Sequence, residues 1–525
     1  MHPTLLIGLD GATSTVLDPL LRAGHMPNLA RLIDGGSRGE LRSTPHPLTP
    51  PAWATLATGH WPGGHGIYDF LRVELAGERS FFTLNDARDI RVETIWSRVS
   101  RLGGKVTVIN FPLTAPAPDV RGTVVPGLMS WKHLRRNVRP VEFYDELKAL
   151  PDFDPKKLSW EFEMETAVQN TPEDELEPWV HFHLEREAQW FAIVRHAVRS
   201  RPADLTAVMF DGVDKLQHAC WRFLDPAYQP QQPTPLEARL RELCEEYFRR
   251  LDDFIGELLG LMPPDVRVVV ASDHGFGPSV RIFHVNKWLE QQGYLFWPSA
   301  VAEGAKNFHF MQPDMDRTLA FAPSAATNGV HLRVQQNSGD AGIPPQDYER
   351  VRAELAEKLM AVVDPFTGEH YFQAVLTREE AFSGAQMHRA PDLTLVPIDH
   401  SFVSVLDREP IFVKRDPPRG THYPLGIVMA SGPGIRAGAR VPEQSIVDVA
   451  ATLLYCLGLP TPADYEGSVM EAVLEPAQLA AQPVVREQTE GAAPELCAVA
   501  SASAGLDADE EAEIMARLRD LGYVE

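Results

Sequence analysis

The sequence has few cysteines and no long apolar run. Its 525 residues include only four cysteines, and none forms a CxxC pair, so neither a zinc knuckle nor a disulfide framework is indicated. No apolar run approaches the roughly 18 residues that cross a membrane. The opening residues, MHPTLLIGLD, carry neither a basic segment nor a small-residue cleavage site. We therefore expect a cytoplasmic protein with no membrane segment.

The chain also has little positive charge. Lysine and arginine total 49 against 72 aspartates and glutamates, which gives a formal net charge of −23. Binding to a nucleic-acid polymer or to an anionic membrane requires a basic surface, so both are disfavoured. A small anionic substrate stays compatible with this charge because bound metal ions reverse the local sign. No feature of the sequence indicates an oligomeric state.

Several short runs rich in Val, Ile and Leu end in a polar residue. TLLIGL leads to Asp10, LTAVMF to Asp211 and Asp214, VRVVVAS to Asp273, and KVTVI to Asn110. Such runs, which do not alternate with polar residues, are typical of strands buried on both faces. The carboxyl ends of parallel strands meet at one edge of a sheet, so we expect these carboxylates to gather there. Gathered carboxylates are costly without a cation.

Helical patterns lie between these runs. They cover residues 17–33, 176–198, 236–261 and 446–457. Alternating strands and helices predict an α/β domain with a mainly parallel central sheet and helices on both faces.

Other segments break this alternation. Residues 68–170 and 300–400 are richer in loops and proline, and we interpret them as cap insertions in a catalytic domain that covers residues 1–475. Residues 476–503 are rich in Ala, Pro, Gln and Glu and are typical of a linker. Residues 504–525 carry acidic residues first and arginines later, which favours a C-terminal helix.

Two short motifs carry possible metal ligands. In DHG, Asp273 and His274 can supply two ligands from one turn at a strand end, although such a pair is also typical of a surface loop. In DKLQH, Asp214 and His218 share one helix face at i, i+4 spacing, as an ordinary Asp–His pair also does. Asp211 competes with Asp214 as the ligand, and spacing does not decide between them.

Thr49 is a possible nucleophile. It precedes Pro50 and Pro51 in LTPPAWATLATG, and threonine at a cap followed by proline in the first turn predicts a helix N-terminus. The dipole and free backbone donors of a helix N-terminus favour a phosphate. A plain helix cap is the alternative interpretation.

The motifs together resemble the alkaline phosphatase superfamily, in its type I phosphodiesterase and nucleotide pyrophosphatase branch. The resemblance covers roughly residues 4–475 and rests on segments that occur in the family's order: GLDGA, MPNLARLIDGG, PLTPPAWATLATGHWPGGHGIYDF, DGVDKLQH, VVVASDHGFGP, APDLTLV, GTHYPLGIVMASGPGI and SIVDVAATLLYCLGLPTPADYEGSVM. It implies an alkaline-phosphatase-like three-layer sandwich with cap insertions. The implied activity is that of a metal-dependent phosphohydrolase acting on a small phosphorylated substrate.

The resemblance also implies roles for individual residues. Thr49 matches the family's nucleophile, which forms a phospho-threonine intermediate on a centre of two divalent metal ions, with zinc favoured and manganese or iron also compatible. It favours Asp214 over Asp211. One metal would be held by Asp10, Thr49, Asp273 and His274, and the other by Asp214, His218 and His422.

The chain departs from the pattern beside Thr49. Nucleotide phosphodiesterases follow the nucleophile with Phe-Pro-Asn, and the Asn holds a phosphate oxygen. Here Ala52 occupies the position of the Asn, and alanine has no side-chain donor. Asn110 is a candidate substitute, or else a turn residue before Phe-Pro. The departure weakens an assignment to nucleotide diesters in particular. We expect a phosphodiesterase or nucleotide pyrophosphatase, with a phosphomonoesterase or a phosphomutase as the alternative. A non-catalytic binding scaffold is disfavoured because every expected ligand position is filled, and no motif indicates the physiological substrate.

Overall fold

The computed structural model describes residues 1–488 apart from 77–78, 130, 159–172, 299–312, 325 and 338. Its strands, in chain order from β1 to β19, are Thr4–Leu9, Gly36–Arg42, Leu71–Ala76, Arg79–Leu84, Val106–Ile109, Gly122–Val125, Leu205–Phe210, Arg267–Ala271, Gly275–Phe283, Ala320–Phe321, Gly329–Leu332, Phe372–Thr377, Leu393–Pro397, Phe412–Tyr423, Leu425–Ser431, Ala439–Arg440, Gln444–Ser445, Thr461–Pro462 and Arg486–Glu487.

The helices, in chain order from α1 to α15, are Ser14–Arg22, Pro27–Asp34, Thr49–Thr58, Pro62–His65, Ile95–Arg101, Trp131–Asn137, Val141–Lys148, Glu173–Ser200, Gly212–Leu224, Pro235–Leu261, Val285–Gln291, Tyr348–Met360, Arg378–Ala381, Asp448–Leu457 and Pro476–Ala481. Short 3-10 turns lie at Ala87–Asp89, Pro155–Leu158, Pro345–Asp347, Met387–Arg389 and Glu471–Val473. Within the described part of the chain, no helix has both the length and the apolar character that a bilayer crossing requires.

A central sheet organises the molecule. Its strand order over the described residues is β16-β2-β15-β8-β1-β7-β5-β6, with β17 beside β2. The pairs of β1 with β7 and β8, and of β5 with β6 and β7, are parallel. Strand β15 runs antiparallel to β2 and β8. The predicted mainly parallel sheet is therefore confirmed.

Helices cover both faces of this sheet because successive side chains of a buried strand point to opposite sides. Leu5 and Ile7 of β1 join a core with α1, α2 and α8 to α10. Leu6 points the other way and joins a core with α3, α5 and α14. The predicted α/β class with helices on both faces is confirmed.

A second sheet forms a cap. Strands β10, β11, β13 and β12 make a four-stranded sheet with its own core, which includes Phe283, Tyr371 and Leu393. The two-stranded ribbon of β9 and β14 continues from the end of β8 toward this core. Most of the region 300–400 therefore belongs to a unit with its own packing.

Two sequence-based predictions need correction. The region 68–170 is not wholly an insertion, because β5 and β6 within it belong to the central sheet. The apolar run KVTVI indicated β5, but the four residues of β6 are too few for a clear pattern among the surrounding loops. The single helix predicted over 17–33 is two helices, α1 and α2, since Gly24 adopts a φ of +75° and Pro27 starts the second helix.

The end of the described chain is folded against the core. The predicted linker 476–503 begins with α15, and β19 pairs with β18. Residues 489–503 and the predicted C-terminal helix 504–525 lie outside the described residues.

Candidate active site

Three carboxylates lie at the same edge of the central sheet. Leu9 of β1 is in register with Phe210 of β7, and Gly8 is in register with Ala271 of β8. The residues that follow these strands are Asp10, Asp211 and Asp273, and all three are buried. The expected gathering of carboxylates is therefore present.

The first cluster consists of Asp10, Asp273 and His274. One ligand atom from each of these residues lies within 4.8 Å of the others. His274 Nε2 is 3.2 Å from Asp273 Oδ2 and 3.7 Å from Asp10 Oδ1. Gly11 adopts a φ of +65°, which turns its N–H toward Asp273 Oδ1 at 3.0 Å. An added Cβ at Gly11 would lie 2.7 Å from the Phe276 ring, so this turn needs glycine.

The second cluster consists of Asp214, His218 and His422. Helix α9 presents Asp214 and His218 one turn apart, and β14 brings in His422 from about 200 residues away along the chain. Asp214 Oδ1 is 3.1 Å from His422 Nε2 and 3.5 Å from His218 Nε2. The two histidine Nε2 atoms are 3.0 Å apart.

All three histidines are held in one tautomer. Each Nδ1 donates to a backbone carbonyl oxygen: His218 to Gly420 at 3.1 Å, His274 to Gly275 at 3.1 Å and His422 to Pro47 at 2.9 Å. The Nε2 lone pairs therefore point into the clusters, as in histidines whose second nitrogen is fixed for metal ligation.

The ionisation of the site favours a bound cation. Burial, with Asp273 and Asp214 nearby, raises the pKa of Asp10 well above its usual value. Burial raises the pKa of Asp273 to about 8 and lowers that of His218 to about 4. Burial opposes ionisation of Asp214, yet His218 and His422 hold the pKa of Asp214 below its usual range. Carboxylates with neutral imidazoles are the donor set of zinc and related divalent ions, so the residues present fit two such ions.

Thr49 lies next to the first cluster. It is the first residue of α3, with Leu48 at the cap position, and its Oγ1 is 3.4 Å from His274 Nε2. The predicted place at a helix N-terminus is confirmed. The set of free backbone donors is smaller than expected, because Pro50 and Pro51 have no N–H and the Ala52 N–H bonds to the Leu48 carbonyl at 3.0 Å.

Asn110 has a different role from the one expected. Its φ is +65°, and its Nδ2 donates to the Met209 carbonyl and to Asp211 Oδ1, both at 3.1 Å. Both amide hydrogens are thus used inside the protein, and the side chain is fully buried. The expectation that Asn110 replaces the substrate donor missing at Ala52 is corrected: Asn110 orients Asp211.

Asp211 belongs to a buried ion pair. Arg186 of α8 approaches it with two bonds of 2.8 and 2.9 Å, and Lys215 Nζ lies 3.5 Å away. These partners supply the compensation that a buried carboxylate needs, which leaves Asp214 as the carboxylate that faces the histidines. The i, i+4 spacing of Asp211 and Lys215 was a readable signal, but nothing local indicated Arg186.

The sequence profile of the family described as type I phosphodiesterase / nucleotide pyrophosphatase matches residues 4–423. The chain belongs to this family. This match confirms the predicted membership of the alkaline phosphatase superfamily. The chain is a metal-dependent hydrolase of phosphoric esters. No curated protein matches the chain.

Solved structures of other proteins share the fold of this chain. A phosphonoacetate hydrolase from Sinorhizobium meliloti 1021, in complex with phosphonoformate, has a TM-score of 0.54 at 18% identity over 87% of this chain and 95% of that chain. An inactive murine ectonucleotide pyrophosphatase / phosphodiesterase 5, in complex with AMP, has a TM-score of 0.51 at 16% identity over 90% of this chain and 100% of that chain. The predicted alkaline-phosphatase-like sandwich is confirmed.

Proposed function

We propose that the chain is a phosphodiesterase that uses two divalent metal ions and forms a phospho-threonine intermediate on Thr49. One ion would be held by Asp10, Thr49, Asp273 and His274, and the other by Asp214, His218 and His422. The observation that carries this proposal is the pair of three-residue clusters beside the Thr49 hydroxyl, with every histidine Nε2 directed inward.

His274 joins the two halves of the site. Its ring stacks on that of His422 with centroids 3.6 Å apart, and its Nε2 is 4.0 Å from Asp214 Oδ1. A substrate phosphoryl group placed against Thr49 would thus contact both clusters at once. This geometry supports in-line displacement with charge stabilised on both sides of phosphorus.

The chain's own residues account for the covalent steps. Thr49 Oγ1 gives up its proton to solvent and attacks phosphorus, the phosphorus–oxygen bond to the leaving group breaks, and the phosphoryl group with its remaining ester substituent is transferred to the threonine. Water then attacks phosphorus, the bond to Thr49 Oγ1 breaks, and a proton from the water regenerates the hydroxyl and releases a phosphomonoester. Bound divalent ions would supply Lewis-acid stabilisation and lower the pKa of the attacking hydroxyl.

The surroundings of Thr49 bear on the substrate. Pro50, Pro51 and the buried Ala52 offer no N–H or side-chain donor to a non-bridging phosphate oxygen. Phosphate recognition would therefore depend on the metal ions and the Thr49 N–H. The proposal of a diester substrate rests on the family match and not on this local geometry. A phosphomonoesterase or a phosphomutase of the same superfamily is the alternative.

A substrate screen tests the proposal. Metal-free protein is supplemented with zinc, manganese or iron(II) and assayed with bis-p-nitrophenyl phosphate, p-nitrophenyl phosphate and a p-nitrophenyl nucleotide ester. We expect the diesters to react faster than the monoester. A faster monoester reaction would favour the monoesterase alternative, and a phosphoryl transfer to an added sugar phosphate would favour the mutase. No reaction under any metal would support a non-catalytic scaffold.

Variants of one helix connect the activity to Thr49. Thr49→Ala should lower kcat by about 10³-fold or more, whereas Thr49→Ser keeps a hydroxyl and should retain part of the rate. The matched control is Thr58→Ala, because Thr58 lies at the other end of the same helix. Its hydroxyl donates to the Ala54 carbonyl and accepts the His60 N–H, and it belongs to neither metal cluster. Full activity in Thr49→Ala would refute the mechanism.

A further inference from the structure

A large cavity lies between the core and the cap. Its volume is about 1060 Å³, and its walls come from residues 66–91 on one side and from the cap sheet with its neighbouring loops on the other. None of the residues of the two metal clusters lines it, and neither does Thr49. Pockets that bind small molecules have volumes of roughly 300–1,000 Å³, so this cavity can hold a nucleotide-sized molecule.

Arginines dominate the charge of this cavity. Among the described residues, four arginines line it, and one is neutralised locally because Arg378 donates to Asp392 at 2.6 Å. The other three are Arg72, Arg91 and Arg389.

Asp89 is an acid that lies beside two of these arginines. The carboxylate bonds to Arg72 through Oδ1, which also lies 3.9 Å from Arg91. Its Oδ2 accepts the Asp86 backbone N–H at 3.0 Å. The single negative charge of Asp89 is therefore shared between two arginines, while its second oxygen caps a helical turn. It cannot also neutralise a third guanidinium group.

Arg389 has no acidic partner of its own. No carboxylate among the described residues forms an ion pair with Arg389, and its Nη1 is buried without a hydrogen-bond partner. Burial and the nearby Arg91 lower the pKa of Arg389. A buried guanidinium N–H that bonds to nothing is costly, and this cost is removed when an anion accepts its hydrogens.

A glycine brings two of the guanidinium side chains together. Gly66 adopts a φ of +85°, and a Cβ added there would lie 3.1 Å from Arg389 Nη1 and 3.3 Å from Arg91 Cγ. The two like-charged side chains therefore pack against the same point of the backbone. Repulsion of this kind in a partly buried wall is typical of sites where Arg forks bind phosphate or carboxylate.

The other acids of the cavity do not offset this charge. Glu379 is paired with Arg352 at 2.7 Å. Asp69 is buried, and burial raises its pKa to about 7, so it carries only part of a negative charge near neutral pH. The opposite wall supplies apolar and aromatic surface from Phe321, Leu332 and Tyr348.

We propose that this cavity binds a small molecule through an oxyanion, a phosphate or a carboxylate, that is held between Arg389 and Arg91. The apolar wall opposite would receive the rest of the molecule. This site is separate from the metal clusters, so it does not depend on the catalytic proposal.

Titration calorimetry tests this proposal on the full chain. The protein is treated with EDTA so that bound metal ions do not contribute, and it is titrated with inorganic phosphate and, separately, with acetate. We compare the wild type with Arg389→Gln and Arg91→Gln. The control is Arg350→Gln, since Arg350 is an exposed arginine whose side chain is 66% accessible and which lies outside the cavity lining.

We expect at least one of the two anions to bind the wild type and Arg350→Gln with equal affinity. Loss of a charged hydrogen bond should weaken binding roughly tenfold or more in Arg389→Gln, and Arg91→Gln should weaken it in the same direction. The preferred anion distinguishes a phosphate from a carboxylate ligand. If Arg389→Gln does not fold, the affinity of Arg91→Gln tests the proposal instead, because Arg91 is exposed. Absence of binding by both anions, or equal affinity in all four proteins, would overturn the proposal.

Discussion

The Nε2 atoms of His218 and His422 face each other at 3.0 Å while both Nδ1 atoms are bonded to backbone carbonyls. Because each Nδ1 is held by a carbonyl, both Nε2 atoms face the same point, and a cation bound there would contact both nitrogens. Asp214 Oδ1 lies close to both nitrogens and completes the set.

Removing one histidine should therefore remove one metal ion. We expect His422→Ala to bind about one metal ion less per chain than the wild type, because two ligands rarely hold a divalent ion against buffer. Metal analysis of dialysed protein measures this. His370→Ala is the control, since His370 is exposed and belongs to neither cluster. Equal metal content in all three proteins would contradict the assignment of His422.

Breaking the buried ion pair of Arg186 and Asp211 should lower the free energy of unfolding without changing the metal content of the protein. Arg186→Met leaves the buried Asp211 carboxylate short of one counter-charge, and breaking such a pair costs about 3 kcal/mol. Urea unfolding measures the loss. On the same helix, Arg195 pairs with Glu257 at 2.6 and 2.8 Å but is partly exposed, so Arg195→Met should cost at most about 1 kcal/mol.

The metal content of the same variant tests whether the pair of Arg186 and Asp211 is separate from the metal clusters. Arg186→Met should bind as much metal as the wild type if Asp211 is not a ligand. Loss of metal in folded Arg186→Met would indicate that Asp211, rather than Asp214, belongs to the metal centre.

His65 makes stability depend on pH. Its Nδ1 accepts the Ile67 N–H at 3.1 Å, and its Nε2 donates to Thr55 Oγ1 at 2.9 Å, so the buried ring is satisfied only when it is neutral. Burial lowers the pKa of His65 to about 3, against about 6.5 in the unfolded chain. Between these values the unfolded chain binds more protons, so this contribution is complete above pH 6.5 and is lost as the pH falls toward 3.

We therefore expect His65→Gln to flatten the pH dependence of the unfolding free energy. The slope below pH 6.5 should decrease by up to about 1.4 kcal/mol per pH unit. Urea unfolding at a series of pH values gives this slope, with His370→Gln as the exposed control. An unchanged slope in His65→Gln would show that His65 is protonated in the folded state.

The strand ends could be predicted from the sequence because their signal is local. TLLIGL and VRVVVAS are apolar without interruption, and parallel pairing puts the residues after them at one edge of the sheet. The choice between Asp211 and Asp214 had no local signal, because Arg186 lies 25 residues before Asp211 on another helix. The resemblance to a family favoured Asp214, and the geometry gives the physical reason.

The sequence indicated a cap insertion at 300–400, but the cavity beside the cap could not be predicted in the same way. Arg389 is about 300 residues from Arg72 and Arg91 in the sequence, and no motif connects them. The role of Asn110 depends on its left-handed backbone and on the neighbouring strand, neither of which a single Asn before Phe-Pro reveals. Contacts of this kind arise from packing between distant segments.

Trapping the covalent intermediate tests the central claim most directly. Metal-loaded protein is mixed with a p-nitrophenyl diester, quenched in acid during turnover, digested and examined by mass spectrometry, with Thr49→Ala as the comparison. We predict a wild-type peptide in which Thr49 carries the phosphoryl group together with the ester substituent that did not leave, and no such adduct in the variant. An active wild type with no phosphoryl group on Thr49, together with turnover by Thr49→Ala, would contradict the account.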